Sequence, residues 1–218
     1  MSPTPASEDY LKALFHLESE EERVPTTAIA DSLGVAKPSV TGMLKRLRED
    51  DYVDYSPRQG ARLTATGRAA TLQVIRRHRL LETFFVEMLG LDWSEVHDDA
   101  EVLEHHLSDR IVDAIDRALG YPTEDPHGHP IPSADGELAQ RELVELAGLE
   151  EGRGGTVREV HTKEHRRLRR WAELGFKPGT RVRVVRRQDL EDVLHVRVGR
   201  EIVVTGTAGV RGILVELS

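Results

Sequence analysis

The 218-residue chain contains no cysteine. That absence removes disulfides, Cys-ligated zinc and iron–sulfur clusters together, so any metal site must be built from His, Asp, Glu and at most Met. The chain also lacks an apolar run approaching the roughly 18–20 residues of a membrane span. Its opening, "MSPTPASEDY", has no basic region followed by an apolar stretch, so no leader is expected and the cytoplasm is the default address. No His-Glu-x-x-His signature, nucleophile motif, internal repeat or low-complexity tract is visible. What remains is an ordinary soluble composition, 39% hydrophobic and 31% charged, long enough to bury a core in one large or two to three small domains.

The net charge of −8 is unevenly spread. Residues 36–79 carry 10 basic and 4 acidic side chains, an excess of +6, whereas residues 80–155 carry 4 basic and 19 acidic, or −15. An acidic protein can still bind nucleic acid where one face concentrates its cations, and the 36–79 block is the candidate. The acidic middle would either attract divalent cations or simply be solvated.

Residues 7–22 read as a helix with Ser7 as N-cap. A second short helix, "TTAIADSLGV" (26–35), is closed by Gly34, and a third runs from about Lys37 to Glu49. Two β-prone runs flank the turn-rich Pro57–Gly60, so helix-turn-helix plus hairpin makes a winged helix. Thr64 is the expected N-cap of a long helix reaching about Met88. The pattern stays helical to about Leu119, broken near "GLDWSEV", and "PTEDPHGHPIPSADG" reads as an ordered linker. Beyond it, "TVREV", "RVRVVRR", "LHVRVG", "EIVVTG" and "GILVEL" alternate as short strands around one helix at 163–174, the pattern of a small β-barrel.

On the 37–49 helix, Val40, Met43, Leu44 and Leu47 share one arc, while Pro38, Ser39, Gly42, Lys45 and Arg46 project opposite, flanked by Lys37 and Thr41. An apolar back with short polar and basic residues in front is what a helix entering the major groove needs. Arg58 at the wing tip suits a phosphate or minor-groove contact. An ordinary solvated helix, or a winged helix used for protein contacts, is the alternative.

Helical spacing of about 100° per residue puts His97, Glu101, Glu104 and His105 of "EVLEHHLS" and its preceding turn within a quarter of the circumference, with His106 pointing away. His78 and Glu82 form an i, i+4 pair on the preceding helix. A solvated salt-bridge face has the same composition; two matched sets on neighbouring helices point instead to metal.

"SEDYLKAL", the winged helix, "RRHRLLETFF", "VHDDAEVLEHHLSD" and "PHGHPIP", in that order and spacing, resemble the diphtheria-toxin-repressor family of metal-dependent transcriptional regulators. The resemblance covers residues 5–135 and implies a mainly α fold with small β elements. Its parts would be a winged helix-turn-helix DNA-binding domain (1–70), a helical metal-binding and dimerisation domain (71–136) and an SH3-like, FeoA-like β-barrel (137–218), to which "LGFKPGTRVRVV" is similar. It implies a homodimer on a double-stranded DNA operator, with no membrane and no small organic substrate. It implies two metal sites per subunit: a primary site of Asp9, Glu101, Glu104 and His105, and an ancillary site of His78, Glu82 and His97 joined by Glu159, for which His161 or Glu164 could substitute.

Iron-responsive members carry Met and Cys where this chain has Asp9 and Glu101, and manganese-responsive members carry Asp and Glu. Carboxylates in place of sulfur favour the harder ion, so Mn²⁺ is expected ahead of Fe²⁺. Lys12 departs from the manganese pattern, which often has a further Glu one turn past the Asp, and so argues against a two-metal cluster there. His127 and His129 read as linker residues, Trp93 and Trp171 as core or interface residues, and His16, His165 and His195 have no partner that the sequence identifies. The expected function is a metal-activated repressor of metal-homeostasis genes. The rivals are an iron-dependent repressor of the same family, a His/carboxylate metalloenzyme, and a DNA-binding protein whose acidic helices make only salt bridges. The barrel could further bind a proline-rich peptide, including 122–132 of its own chain.

Overall fold

The computed structural model describes residues 3–18, 22–162 and 164–218. It divides into two compact units, the first comprising residues 1–78, 102–108 and 132–138, the second residues 79–101, 109–131 and 139–218.

The first unit opens with α1 (Pro5–Leu17), α2 (Thr26–Leu33) and α3 (Lys37–Glu49), then the hairpin β1 (Val53–Ser56) and β2 (Gly60–Leu63). Helix α1 begins a turn earlier than Ser7. Thr4 is the cap, its hydroxyl accepting the Ser7 N–H at 3.3 Å, and Pro5 sits at the first helical position, where its missing N–H costs nothing. The helix ends at Leu17, with Glu18 as its C-cap, short of the expected residue 22; residues 19–21 lie outside the described residues. Gly34 closes α2 in the left-handed conformation at φ 65°. Helix α3 buries Val40, Met43, Leu44 and Leu47 in one cluster with Leu11 and Leu14 of α1, Ile29 of α2 and Tyr55 and Leu63 of the hairpin. Full burial contributes roughly 1.5–3 kcal/mol per large apolar side chain as an upper figure. The wing is pinned at its base by Val24, which exchanges both backbone hydrogen bonds with Ala61 at 2.8 Å. Gly60 permits that approach: at φ +89° an added Cβ would lie 2.5 Å from the Val24 carbonyl oxygen.

Helix α4 (Ala65–Glu87) runs from the first unit into the second. Thr64 caps it as expected, its hydroxyl accepting the Gly67 N–H at 3.0 Å and donating to the Asp51 carbonyl at 2.6 Å. Helices α5 (Val96–Leu103) and α6 (Asp109–Ala118) follow. The helical stretch is thus broken twice, once near "GLDWSEV" and again after Leu103. At the second break the His106 N–H closes a turn onto the Leu103 carbonyl at 3.0 Å. Glu104 and His105 leave the helical path because buried polar partners in the first unit hold them, and such contacts outweigh the small propensity differences that the sequence displays.

In the second unit the strands β3 (Val144–Glu145), β4 (Gly154–Val160), β5 (Arg181–Gln188), β6 (Val193–Val198), β7 (Glu201–Gly206) and β8 (Ile213–Leu217) form one antiparallel sheet in the order β3-β8-β4-β5-β6-β7. Its Leu194 and Ile213 share one core with Trp171 of α7 (His165–Glu173), Phe176 and Leu146. Trp171 donates its indole N–H to the Gly209 carbonyl at 2.8 Å, in the short α8 (Thr207–Val210). The sequence places α7 at 163–174; Lys163 lies outside the described residues. The 122–131 linker folds back on itself through a bridge between Glu124 and Pro130. Among the described residues no helix is long and apolar enough to cross a membrane. Replacing Thr64 by Ala is expected to lower stability by about 1 kcal/mol in urea denaturation, with Thr64→Ser near the parent value; equal stability of all three would remove Thr64 as the cap.

Candidate metal centres and DNA-reading surface

In the first unit, α1 carries Glu8, Asp9 and Lys12, α4 carries Arg77 and His78, and the turn after α5 carries Glu104 and His105. Glu104 is wholly buried. Stranding a carboxylate there would cost several kcal/mol without partners, and it has two: Lys12 Nζ reaches Oε1 at 2.6 Å and His78 Nδ1 meets Oε2 at 2.5 Å. Buried Glu8 accepts from Arg77 at 3.0 Å and lies 2.6 Å from His105 Nδ1. Nδ1–H of His105 therefore donates to Glu8, and Nε2 faces Asp9 Oδ1 at 3.1 Å and Glu104 Oε1 at 3.6 Å. Lys12 supplies a positive charge at Glu104 Oε1. Asp9, Glu104 and His105 each offer one ligand atom, all within 4.8 Å of one another. A ligating imidazole fixed through its other nitrogen by a carboxylate is the usual support of a metal-bound histidine, so these residues fit a divalent ion. Glu8 carried no signal in the sequence beyond its neighbour Asp9.

Glu101, the fourth residue that the resemblance assigns to the primary site, belongs to the second unit, where its Oε2 lies 3.7 Å from His97 Nε2. His78, assigned to the ancillary site, lies against Glu104. The other ancillary residues are in the second unit: His97 Nδ1 is 3.1 Å from Glu82 Oε1, and Glu159 Oε2 is 2.8 Å from His161 Nε2.

The second unit brings in two further imidazoles, from the "PHGHPIP" linker. His127 donates its Nε2–H to the Trp93 carbonyl at 2.9 Å, which leaves Nδ1 facing the Glu82 carboxylate at 3.4 Å. His129, within 4.8 Å of ligand atoms of Glu159 and His161, is oriented by Asp125 at 2.9 Å. Asp125 also accepts the backbone N–H groups of His127 and His129 at 2.8 and 2.9 Å, and it lies buried within the turn that it organises. The loop is clamped to β4 by the Val160 N–H on the His127 carbonyl at 3.0 Å. Gly128, at φ +87°, approaches so closely that a Cβ would come within 1.7 Å of the Arg158 carbonyl oxygen. Two histidines flanking a glycine between prolines were the signal for this clamp, and it is masked by the linker-like composition around it.

Burial opposes protonation of His127, but the Glu82 hydrogen bond and the charges of Glu82 and Asp125 outweigh it, so its pKa is raised. Glu159 is lowered: burial works against ionisation, and His161, His129 and Arg141 more than offset that.

The candidate DNA-reading side chains are accessible on the first unit. Lys37, Pro38, Ser39, Lys45 and Arg46 are exposed on α3, Thr41 is half-exposed, and Arg58 stands exposed at the hairpin tip. None of Lys37, Lys45, Arg46 and Arg58 forms an ion pair with another described residue, so their charge is open to phosphate.

A winged helix with an unpaired basic face, joined to carboxylate–imidazole pockets, defines a metal-responsive DNA-binding protein. Comparison with known proteins is in agreement. Residues 4–61 match the iron-dependent repressor N-terminal DNA-binding domain, residues 64–133 the iron-dependent repressor metal-binding and dimerisation domain, and residues 144–217 the FeoA domain. The HTH-type transcriptional regulator MntR of Oceanobacillus iheyensis is 37% identical over 123 residues, 56% of this chain and 83% of that protein. The iron-dependent repressor IdeR of Mycobacterium leprae is 31% identical over 190 residues, 82% of this chain and 83% of its own. A solved manganese-dependent transcriptional repressor in complex with manganese superposes with a TM-score of 0.90 at 36% identity, covering 97% of this chain and all of that one.

The chain belongs to the diphtheria-toxin-repressor family of metal-dependent transcriptional regulators. It is a repressor that acts as a homodimer on double-stranded DNA, and not an enzyme.

Because His127 retains its proton to a pH above the ordinary imidazole value, a divalent ion taken up at its Nδ1 would have to displace that proton. With His127 as a ligand, divalent-ion binding by the second unit is expected to weaken as pH falls from about 8 to 6, with the decline starting above the ordinary histidine pKa and starting lower in His127→Asn. Identical binding profiles for the two proteins would exclude His127 as a ligand.

Proposed function

We propose that this repressor senses manganese(II) in the cytoplasm and represses metal-homeostasis genes, with Asp9, Glu104 and His105 as the activating site and Glu101 beside His97 in the second unit. A second site would draw on Glu82, His97, His127, His129 and Glu159, with His161 adjacent. The donor set carries this reading: every candidate ligand is a carboxylate or an imidazole, with no sulfur, and such sets favour the harder ions. Relatives named for manganese and for iron both occur, and the ligand chemistry favours the former.

A bound divalent ion would be held by Asp9, His105 and Glu104 and would add its charge to that of Lys12. Asp9 is on α1, and His105 follows it by almost a hundred residues, so joining them ties α1 to the turn after α5. Leu11 and Leu14 of α1 share a core with Val40 and Leu44 of α3, so holding α1 also holds the reading helix. In a two-fold dimer, fixed reading helices match successive major grooves. Metal affinity and operator affinity are then reciprocally coupled. His78 supports this pocket through Glu104.

Asp9→Ala is expected to fold normally and to lose metal-dependent operator binding. Titrating Mn²⁺, Fe²⁺, Zn²⁺ and Co²⁺ against operator affinity at fixed salt measures this, and an unaltered Mn²⁺ response would exclude Asp9; a preference for Fe²⁺ would favour the iron-responsive alternative. Arg46→Ala is expected to weaken operator binding and to reduce the slope of log affinity against log salt by about 1. An unchanged slope would take Arg46 off the phosphate backbone.

A further inference from the structure

We propose that Lys12 is a built-in cation of the first pocket, which sets the concentration at which a divalent ion loads and limits that pocket to a single ion. The inference rests on the reading of Asp9, Glu104 and His105 as ligands. Lys12 is itself buried, and its ammonium nitrogen lies 2.6 Å from Glu104 Oε1. The same oxygen is the one turned toward His105 Nε2, at 3.6 Å. Its partner oxygen is held by His78, so Oε1 is the atom that Glu104 has to offer. Metal–oxygen bonds of this type are about 2.1 Å long. An ion on Oε1 would therefore lie no more than about 4.7 Å from the Lys12 nitrogen while both shared that oxygen. Two cations at that spacing, away from bulk water, repel strongly.

The formal charges show how this limits stoichiometry. Glu8, Asp9 and Glu104 contribute −3, and Arg77 and Lys12 contribute +2, leaving −1 with neutral histidines. One divalent ion brings the pocket to +1 and a second would bring it to +3. With glutamate in place of Lys12 the starting charge is −3, and two ions bring it to +1, the value that the parent reaches with one. With methionine it is −2, and one ion neutralises it.

The test uses the full-length protein with Mn²⁺ alone, reading half-loading and stoichiometry by equilibrium dialysis with elemental analysis, and spin coupling by electron paramagnetic resonance. Lys12→Met is expected to half-load at a Mn²⁺ concentration lower by on the order of tenfold with the number of ions unchanged. Lys12→Arg, which keeps the charge, stays within a few-fold of the parent. Lys12→Glu is expected to take up one additional ion per chain, with a signal broadened by coupling to its neighbour. Should Lys12→Met fail to fold by circular dichroism, Lys12→Gln removes the charge while keeping a donor for Glu104, and the same downward shift is expected. A neutral variant loading at the parent concentration, or Lys12→Glu binding no further ion, would overturn the proposal. Asp9→Ala is the reference: if it binds as many ions as the parent, the pocket reading itself fails, independently of Lys12.

Discussion

Complete burial of one carboxylate, that of Glu104, is the constraint on which the rest of the first unit depends. An ion with no access to water must be compensated where it stands, and the compensation comes from three directions in the chain. Lys12 arrives from α1, His78 from α4, and the turn after α5 brings the carboxylate itself together with His105. Those demands explain why α5 stops at Leu103, since a further helical turn would carry Glu104 and His105 along the α5 axis. The local geometry answers to charge before it answers to propensity.

Helix α1 serves two environments at once. Leu11 and Leu14 belong to the apolar core that also seats α3, while Glu8, Asp9 and Lys12 line the pocket. A rigid rod with one face in the core and another at the proposed ligands would transmit position without needing any change in its own conformation. That economy rests on ordinary helical periodicity, and it makes a separate relay between pocket and reading helix unnecessary.

Much of this was legible in the sequence. The apolar arc of α3, its basic front, the Gly34 closure, the Thr64 cap and the alternating strands of the second unit are local signals, each written within a few residues. What the sequence obscured was long-range. A continuous helical pattern through residues 97–108 put four candidate ligands on one face, and the break after Leu103 redistributed them, leaving Glu101 beside His97. The start of α1 shifted from Ser7 to Thr4 because the Thr-Pro pair was the stronger start signal. His127 and His129 looked like linker residues because proline and glycine surround them. Their role emerges only when the Gly128 turn is seen against β4, a contact with residues about 30 positions downstream. Lys12 was visible as a departure from pattern, but its partner, 92 residues away, was not.

Gly42 stands near the middle of the reading helix, exposed, and an added Cβ there would meet nothing within 4 Å. Glycine inside a helix costs about 1 kcal/mol relative to alanine, so the position is held below its most stable choice. It is also a vacancy in the reading vocabulary of α3: any side chain could be written there by single-codon change without repacking the core beneath. Duplicated copies of such a repressor could therefore diverge in the operators they recognise while the proposed metal ligands, on α1 and in the turn after α5, stayed the same.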